Sequence, residues 1–450
     1  MDLNIKLPKK VKEIAGKFLD AGAEIYVVGG ASRDLLLGRE VADWDFTTNL
    51  TPEEMKVLFP KNSFCENKFG TFSIVRGGEV FEVTTFRTER GYSDARHPDE
   101  VKWGSSLTED LQRRDFTVNA IAIDLKKSGD GIEVKEIIDK YGGLKDLNKG
   151  IIKSVGRADD RFGEDALRMM RAIRIASQIG FKIEKNTFES IKNNAALINK
   201  VAGERIRDEL FKLLLSPLPG KGVEMLRDSG LLAHIMPELM TGLNLAQKGH
   251  HIYDVWQHGI ETLNNCVSNN PVTRLACLLH DVGKPATAVG SGEERTFHNH
   301  EVVGSRIAVA IGKKLRLSNK QLDMLFRLVR WHMFTTEKKQ TDKAVKRFIR
   351  RVTPEYIDEM ITLRRADRIG SGAAETSWRW ELFKKRIVEV QKQPFTIKDL
   401  KVSGNDVMEV MGISPGPKVG DVLEELFREV EDNPELNQRD ILMEKLQNMK

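Results

Sequence analysis

"YVVGGASRDLLLGREVADWDFTTN", residues 26–49, sets an apolar run against Gly29-Gly30 and then delivers Asp43-Trp44-Asp45. A β-strand directs side chains i and i+2 to one face. If "DWDFTT" is a strand, the Asp43 and Asp45 carboxylates converge while Trp44 turns to the other side. Two carboxylates held together repel unless a cation lies between them. Hard oxygen donors with no histidine among them suit magnesium. Two such ions can activate an attacking hydroxyl and neutralise a leaving pyrophosphate. The glycine pair leaves backbone N–H groups open to a close phosphate, and Arg33 is placed to add charge there.

Working outward, residues up to about 150 alternate short β-rich runs with turns, including "FSIVRGGEVFEVTTFR", whose Gly-Gly reads as a hairpin turn. "KKVKEIAGKFLDAG" and "PEEMKVLF" read as helices. From "GEDALRMMRAIRIASQIG" onward the pattern is helical, punctuated by glycine and proline. The expected fold class is α+β, a mixed-sheet head followed by an all-α body. The expected divisions are 1–150 for the head, 151–240 for a helical neck, 241–390 for a second helical domain and 391–450 for a helical tail. In "RRDFTVNAIA" (113–122) a strand would place Phe116, Val118, Ala120 and Ala122 on one face and Asn119 on the other, near a ribose or phosphate.

The balance of the chain narrows the classes. A length of 450 residues exceeds one compact core. The net charge of +5, from 71 basic and 66 acidic residues, leaves nucleic-acid affinity to local patches. Three separated cysteines with no CxxC pair argue against a disulfide framework and for a reducing, cytoplasmic setting. No apolar stretch is long enough to span a bilayer, and the first residues read as an amphipathic helix rather than a signal peptide.

"GGASRDLLLG…DWDFTT", "RRDFTVNAIA" and "EDALRMMRAIRIA" together resemble the successive motifs of the class II tRNA nucleotidyltransferases, a family shared with bacterial poly(A) polymerases. The resemblance implies a polymerase-β-like nucleotidyltransferase head. It implies that Gly29, Gly30 and Arg33 lie at the triphosphate, that Asp43 and Asp45 hold two Mg2+ ions, and that Arg114 binds the incoming nucleotide with Asn119 near it. Glu82 in "FEVTTFR" is the third candidate carboxylate. The implied activity is template-independent addition of CCA to the tRNA 3′ end from CTP and ATP. Addition of the final A alone is the alternative; a poly(A) polymerase and a hydrolase with an inactive head rank lower. The stretch "TERGYSDARHPDEVKWGSSLTED" (88–110) reads as a mobile loop of the kind that accompanies A addition in this family.

"EDALRMMRAIRIA" spaces Asp165, Arg168, Arg171 and Arg174 three apart on an expected helix. Such a row slants by roughly 60° per step, so the four cannot all face one small ligand. Asp165 and Arg168 are the expected base readers, with Arg171 and Arg174 nearer phosphate, tRNA or supporting carboxylates. An aspartate accepts from the exocyclic amine of cytosine or adenine; uracil and guanine present a carbonyl there instead. Opposed buried acceptors cost on the order of 1–3 kcal/mol.

"VWQHGIETL", "LACLLHDVGKP" and "LRRADRIGSG" resemble an HD phosphohydrolase domain, with His258, His280, Asp281 and Asp367 in its ligand order. Adjacent imidazole and carboxylate ligands suit a transition metal and its bound water. His298, His300 and His332 could add ligands or substrate contacts. For tRNA the expected contact is the basic run "KKQTDKAVKRFIRR" (338–351), with Lys346, Arg347, Arg350 and Arg351 as candidates, and the helical tail beyond it.

Overall fold

The computed structural model describes residues 5–65, 71–90, 100–103, 106–129, 131–247, 252–334, 341–391 and 396–449. The chain divides into two compact units. The first comprises residues 1–241 with Ile311–Leu317; the second comprises residues 242–310 and 318–450.

The head of the first unit is built on nine strands among the described residues: β1 (Ile25–Val27), β2 (Trp44–Thr48), β3 (Ser63–Cys65), β4 (Thr71–Arg76), β5 (Glu79–Thr85), β6 (Arg87–Arg90), β7 (Glu100–Trp103), β8 (Ile121–Ser128) and β9 (Gly131–Asp139). Seven of them form one mixed sheet in the order β3-β4-β5-β2-β1-β8-β9. All its pairings are antiparallel except β2 with β5, which run parallel with Asp45 opposite Glu82. The β4–β5 turn is the expected Gly-Gly hairpin: Gly77 and Gly78 both have positive φ, which a side chain would resist. β6 and β7 form a separate antiparallel pair in the stretch read as a mobile loop, β6 at its start and β7 within it. Its intervening residues, 91–99, lie outside the described set.

Alternation places the sheet between two apolar layers. Val11, Ile14, Ala15 and Phe18 of the helix Lys9–Asp20 pack on one face with Val27, Trp44, Phe46, Phe72 and Phe81. The other face carries Tyr26, Val28, Phe86, Leu111, Ala120, Ala122 and Val155. Burying each large apolar side chain contributes roughly 1.5–3 kcal/mol. This two-sided packing fixes the register of β2, and a one-residue slip would turn Trp44 outward and Asp45 inward.

Two expectations about local structure are corrected here. "RRDFTVNAIA" is not a continuous strand: Thr117–Asn119 is a 3₁₀ turn, and β8 starts only at Ile121. The Thr117 hydroxyl donates to Asp146, and Asn119 N–H bonds back to Phe116 O, so local bonds replace the ladder. "EDALRMMRAIRIA" is not one helix either. A helix over Ala158–Glu164 ends at Asp165, whose backbone is extended, and a second helix runs over Leu167–Ile179. The Asp165 carboxylate accepts from Leu167 N–H, satisfying a donor that the new helix start leaves open.

The second unit is helical. Helices over Val255–Asn264, Pro271–Leu279, Asn319–Trp331 and Ile357–Gly370, with residues 300–310 of the helix His300–Lys314, carry the histidine and aspartate motifs. The last helices, Gly404–Met411, Pro417–Asp432 and Arg439–Asn448, enclose a small core of their own, including Val407, Leu426, Val430, Leu442 and Leu446. Among the described residues no helix is long and apolar enough to cross a membrane.

Candidate active site

β2 and the helix Gly29–Leu36 meet at the site. Gly29 has φ +69°, and a Cβ there would come within 2.9 Å of Asp45 Oδ2 and 3.2 Å of an Arg114 nitrogen. Only glycine lets the chain turn at this distance from the carboxylate. Gly30 N–H then donates to Asp45. Asp43 immediately precedes β2 and is exposed; Asp45 is half-buried, and Trp44 between them is in the core. Burial pushes the Asp45 carboxyl above its usual range; Arg114 works against that and Asp43 adds to it. A carboxylate pair under this strain gains from a cation between its members.

A cavity of about 310 Å³ opens over this edge of the sheet. Gly29, Gly30, Asp45, Glu82, Arg114, Asn119, Asp165, Arg168 and Arg171 all line it. A neighbouring cavity of about 420 Å³ shares Gly30, Asp45, Asn119 and Arg171, and adds Asp43, Arg33 and Arg174. Every residue expected at the nucleotide therefore lines one or both. The slant expected of the arginine row is visible in the walls: Arg168 lines the first cavity, Arg171 both, and Arg174 the second.

The side chains are held by partners that sequence reading did not identify. Arg33 is buried, donating to its neighbour Asp34 and, at 3.0 Å, to the Asn119 side-chain oxygen. Asn119 in turn donates to Asp115, whose other oxygen accepts from Arg171 at 2.9 Å. Burial opposes ionisation of Asp115, but Arg171 and Arg168 outweigh it and bring its pKa down to about 2. Arg113 and Arg114 likewise outweigh burial at Asp110 and hold that carboxyl below the usual range. Arg174 pairs with Glu209 at 2.6 Å.

Asp165 and Arg168 share the cavity wall and are joined through the backbone, Arg168 N–H donating to Asp165 O at 3.0 Å, while their side chains are held by other partners. Arg205, from the helix Gly203–Leu214, grips both Asp165 oxygens at 2.7 and 3.3 Å. Arg168 is held by Glu164 and by the backbone oxygens of Arg161 and Arg113. An ionised carboxylate offers about four acceptor positions. Leu167 N–H and the two Arg205 bonds use three, leaving one for a ligand amine.

In the second unit His258, His280, Asp281 and Asp367 come together, all buried, and His300 and His332 join them. His298 is exposed and stands outside these groups. Burial disfavours a charged His280, but Asp281 outweighs it and raises the ring's pKa; burial and His280 lower His332 to about 3.

The basic run yields one correction. Lys346 is fully buried on the inner face of the helix Asp342–Val352 and cannot meet RNA. Its alternation with Val345, Ile349 and Val352 puts its stem in the core. Arg347, Arg350 and Arg351 are exposed; Arg350 pairs with Glu431, and Arg351 stacks 4.6 Å from the Trp331 ring centre. Lys338 and Lys339 lie outside the described residues.

Comparison with known proteins agrees with this geometry. Residues 25–153 match the model of the poly A polymerase head domain, 250–371 an HD domain, and 312–446 a tRNA nucleotidyltransferase domain 2. A CCA-adding enzyme of Ligilactobacillus salivarius is 32% identical over 97% of this chain and 95% of its own. One from Lactobacillus helveticus is 47% identical over 47% of this chain and 51% of its own. The solved structure of the Bacillus stearothermophilus CCA-adding enzyme in complex with CTP superposes with a TM-score of 0.71 at 30% identity, covering 97% of this chain and 96% of the other. With a carboxylate edge, a glycine turn and a neck aspartate around one cavity, and a relative matched along nearly its whole length, the chain belongs to the family of CCA-adding enzymes, the class II tRNA nucleotidyltransferases.

Proposed function

We propose that this chain completes tRNA 3′ ends by adding C, C and A from CTP and ATP, without a nucleic-acid template. The observation that carries the reading is the single cavity joining Asp45 and Glu82 to Gly29-Gly30, Arg114 and Asp165. That arrangement supports the reading of one nucleoside triphosphate bound between a carboxylate edge, a glycine turn and a neck aspartate.

In this reading Asp43 and Asp45 hold two Mg2+ ions, with Glu82 opposite Asp45 in register as the third carboxylate. The donor set fits: oxygen ligands only, and a carboxyl whose pKa is raised by burial and by a like charge. Bound there, magnesium would lower the pKa of the tRNA 3′-hydroxyl and offset the charge of pyrophosphate. The chain's own groups do the rest. Gly29 and Gly30 let the backbone approach the triphosphate. Arg114 faces the incoming nucleotide, and the Arg33–Asn119–Asp115–Arg171 network fixes the floor beneath it. The remaining Asp165 acceptor takes one amine hydrogen of cytosine or adenine, and Arg168 donates to the ring. Arg347, Arg350 and Arg351 are the basic residues offered to tRNA phosphates, and the setting is the cytoplasm.

The test uses tRNA lacking its last three nucleotides, and tRNA ending in CC, each with labelled CTP and ATP separately and together. Addition of C to the first and A to both, with both triphosphates present, is the expected result. Incorporation of A only, and only onto the CC end, would reassign the chain as an A-adding specialist.

A further inference from the structure

We propose that the neck carries a second ligand site, for a small anion with an apolar body such as an aromatic or medium-chain carboxylate. The site stands back to back with the active site, so that an occupant alters nucleotide addition.

A cavity of about 270 Å³ lies in the first unit at the C-terminal end of the helix Leu167–Ile179. Ala176, Phe181, Ile183, Phe188, Leu218 and Met225 line it. They come from that helix end, the short strand Lys182–Ile183 and the helices Lys185–Asn194 and Pro219–Asp228 with their flanking residues. Phe181, Ile183, Phe188 and Met225 are only half-buried and Leu218 is 38% exposed, so the lining is apolar yet open to water. Covering such a lining is the gain that an apolar ligand collects. An apolar cavity of about 150 Å³ accommodates benzene, so this one has room for a fused ring pair or a medium-length chain.

The chemistry of the walls narrows the occupant. Apart from two lysines, the lining side chains carry no hydroxyl, amide or carboxylate. A nucleobase or sugar seated there would give up its hydrogen bonds to water without replacement, a cost that an apolar body does not meet. The two lysines set the charge. Lys182 and Lys221 both line the cavity and both are exposed. Among the described residues neither ammonium group has a carboxylate or a hydrogen-bond partner. They stand on different elements, a strand and a helix, so an anionic head group on the solvent side meets cations from two walls.

The same two stretches of chain also wall the active site. Ile175, Gln178 and Ile179 line the cavity of about 420 Å³ that contains Asp43 and Arg174, while Ala176 and Gly180 line this one. Leu215, Ser216 and Pro217 likewise face the larger cavity and Leu218 the smaller. One partition therefore separates the two spaces, and its helix carries Arg171 and Arg174. Close-packed walls transmit displacement rather than absorb it.

The test titrates the full chain, free of nucleotide, with 2-naphthoate and follows the fluorescence of the ligand. Saturable one-to-one binding on the order of 100 µM is expected, the affinity that about a dozen heavy atoms supply. 2-Naphthalenemethanol keeps the rings and loses the charge; it should bind about three- to tenfold more weakly, and Lys182→Gln/Lys221→Gln should erase the difference. Leu218→Trp, which fills the opening from a partly exposed position, should abolish binding of both. Saturating naphthoate should shift the KM for CTP or for tRNA by about twofold or more in wild type and leave Leu218→Trp unmoved. Thermal melting of the variant like that of wild type shows that it folds, and Met225→Trp provides the same block if it does not. The binding arm needs no nucleotide, so it is decided separately from the proposed reading of the head, whose failure would show as no CTP incorporation with or without naphthoate. No saturable binding, equal binding of acid and alcohol, binding untouched by both tryptophan variants, or binding that leaves both KM values unchanged would each overturn the inference.

Discussion

At the scale of single residues, the site depends on groups that face its functional side chains rather than the ligand. Asp165→Ala removes the acceptor proposed to tell an amine from a carbonyl. Discrimination against UTP and GTP should fall by about 5- to 150-fold, equivalent to roughly 1–3 kcal/mol. Steady-state incorporation with each triphosphate measures it; an equal loss for all four would remove Asp165 from base reading. Asp115 lines the first cavity and anchors Arg171 and Asn119. Its pKa of about 2 is depressed relative to about 3.9 in an unfolded chain. Its contribution to stability is therefore full above about pH 4 and is lost as pH falls through about 2, on the order of 2 kcal/mol. Urea unfolding of wild type and Asp115→Asn should show a stability gap at pH 6 that narrows toward pH 2. The Asp43/Asp45 pair and the glycine turn were legible because their neighbours lie within a few positions. Asp115 with Arg171, Asp165 with Arg205 and Arg174 with Glu209 were not, because those pairs are 56, 40 and 35 residues apart. No local pattern announces them.

At the scale of elements, the sequence conveyed strands and helices through periodicity and failed where local bonds overrode it. Phe116, Val118, Ala120 and Ala122 alternate as a strand would, yet side-chain and 3₁₀ bonds at Thr117 and Asn119 turn the chain there. Gly163 lies two residues before the helix break at Asp165; the aspartate ends one helix and bonds the first turn of the next. A capping aspartate also organises the tail. Asp406 closes a capping box with Ser403 and is gripped by Arg439 from the last helix. Arg439 and Ser403 bring its pKa down to about 2. Asp406→Asn should lower the stability of the tail helices by ~1 kcal/mol at neutral pH. Because the folded-state pKa is depressed, the difference in melting temperature should vanish as pH drops from about 4 to 2.

At the scale of the whole molecule, the two units carry different donor sets, oxygen donors alone at the head carboxylates and imidazole with carboxylate in the second unit. Four of the six tryptophans, Trp256, Trp331, Trp378 and Trp380, belong to the second unit, so tryptophan fluorescence reports chiefly on it. A metal present at 100 times its dissociation constant stabilises the state that binds it by about 2.7 kcal/mol. Chelation should lower the fluorescence-detected melting transition by several degrees and Mn2+ should restore it, while His300→Gln/His332→Gln should blunt the shift. The first unit carries a different dependence, set by one ion pair between its helices. Arg205 grips the aspartate proposed to choose the base, and it does so from the helix Gly203–Leu214. The text "CCA" is then stored in no nucleic acid but in the alignment of two helices, and loosening that alignment edits the text. Sequencing the termini made by Arg205→Ala from all four triphosphates together should reveal a mixed population of endings where wild type writes one.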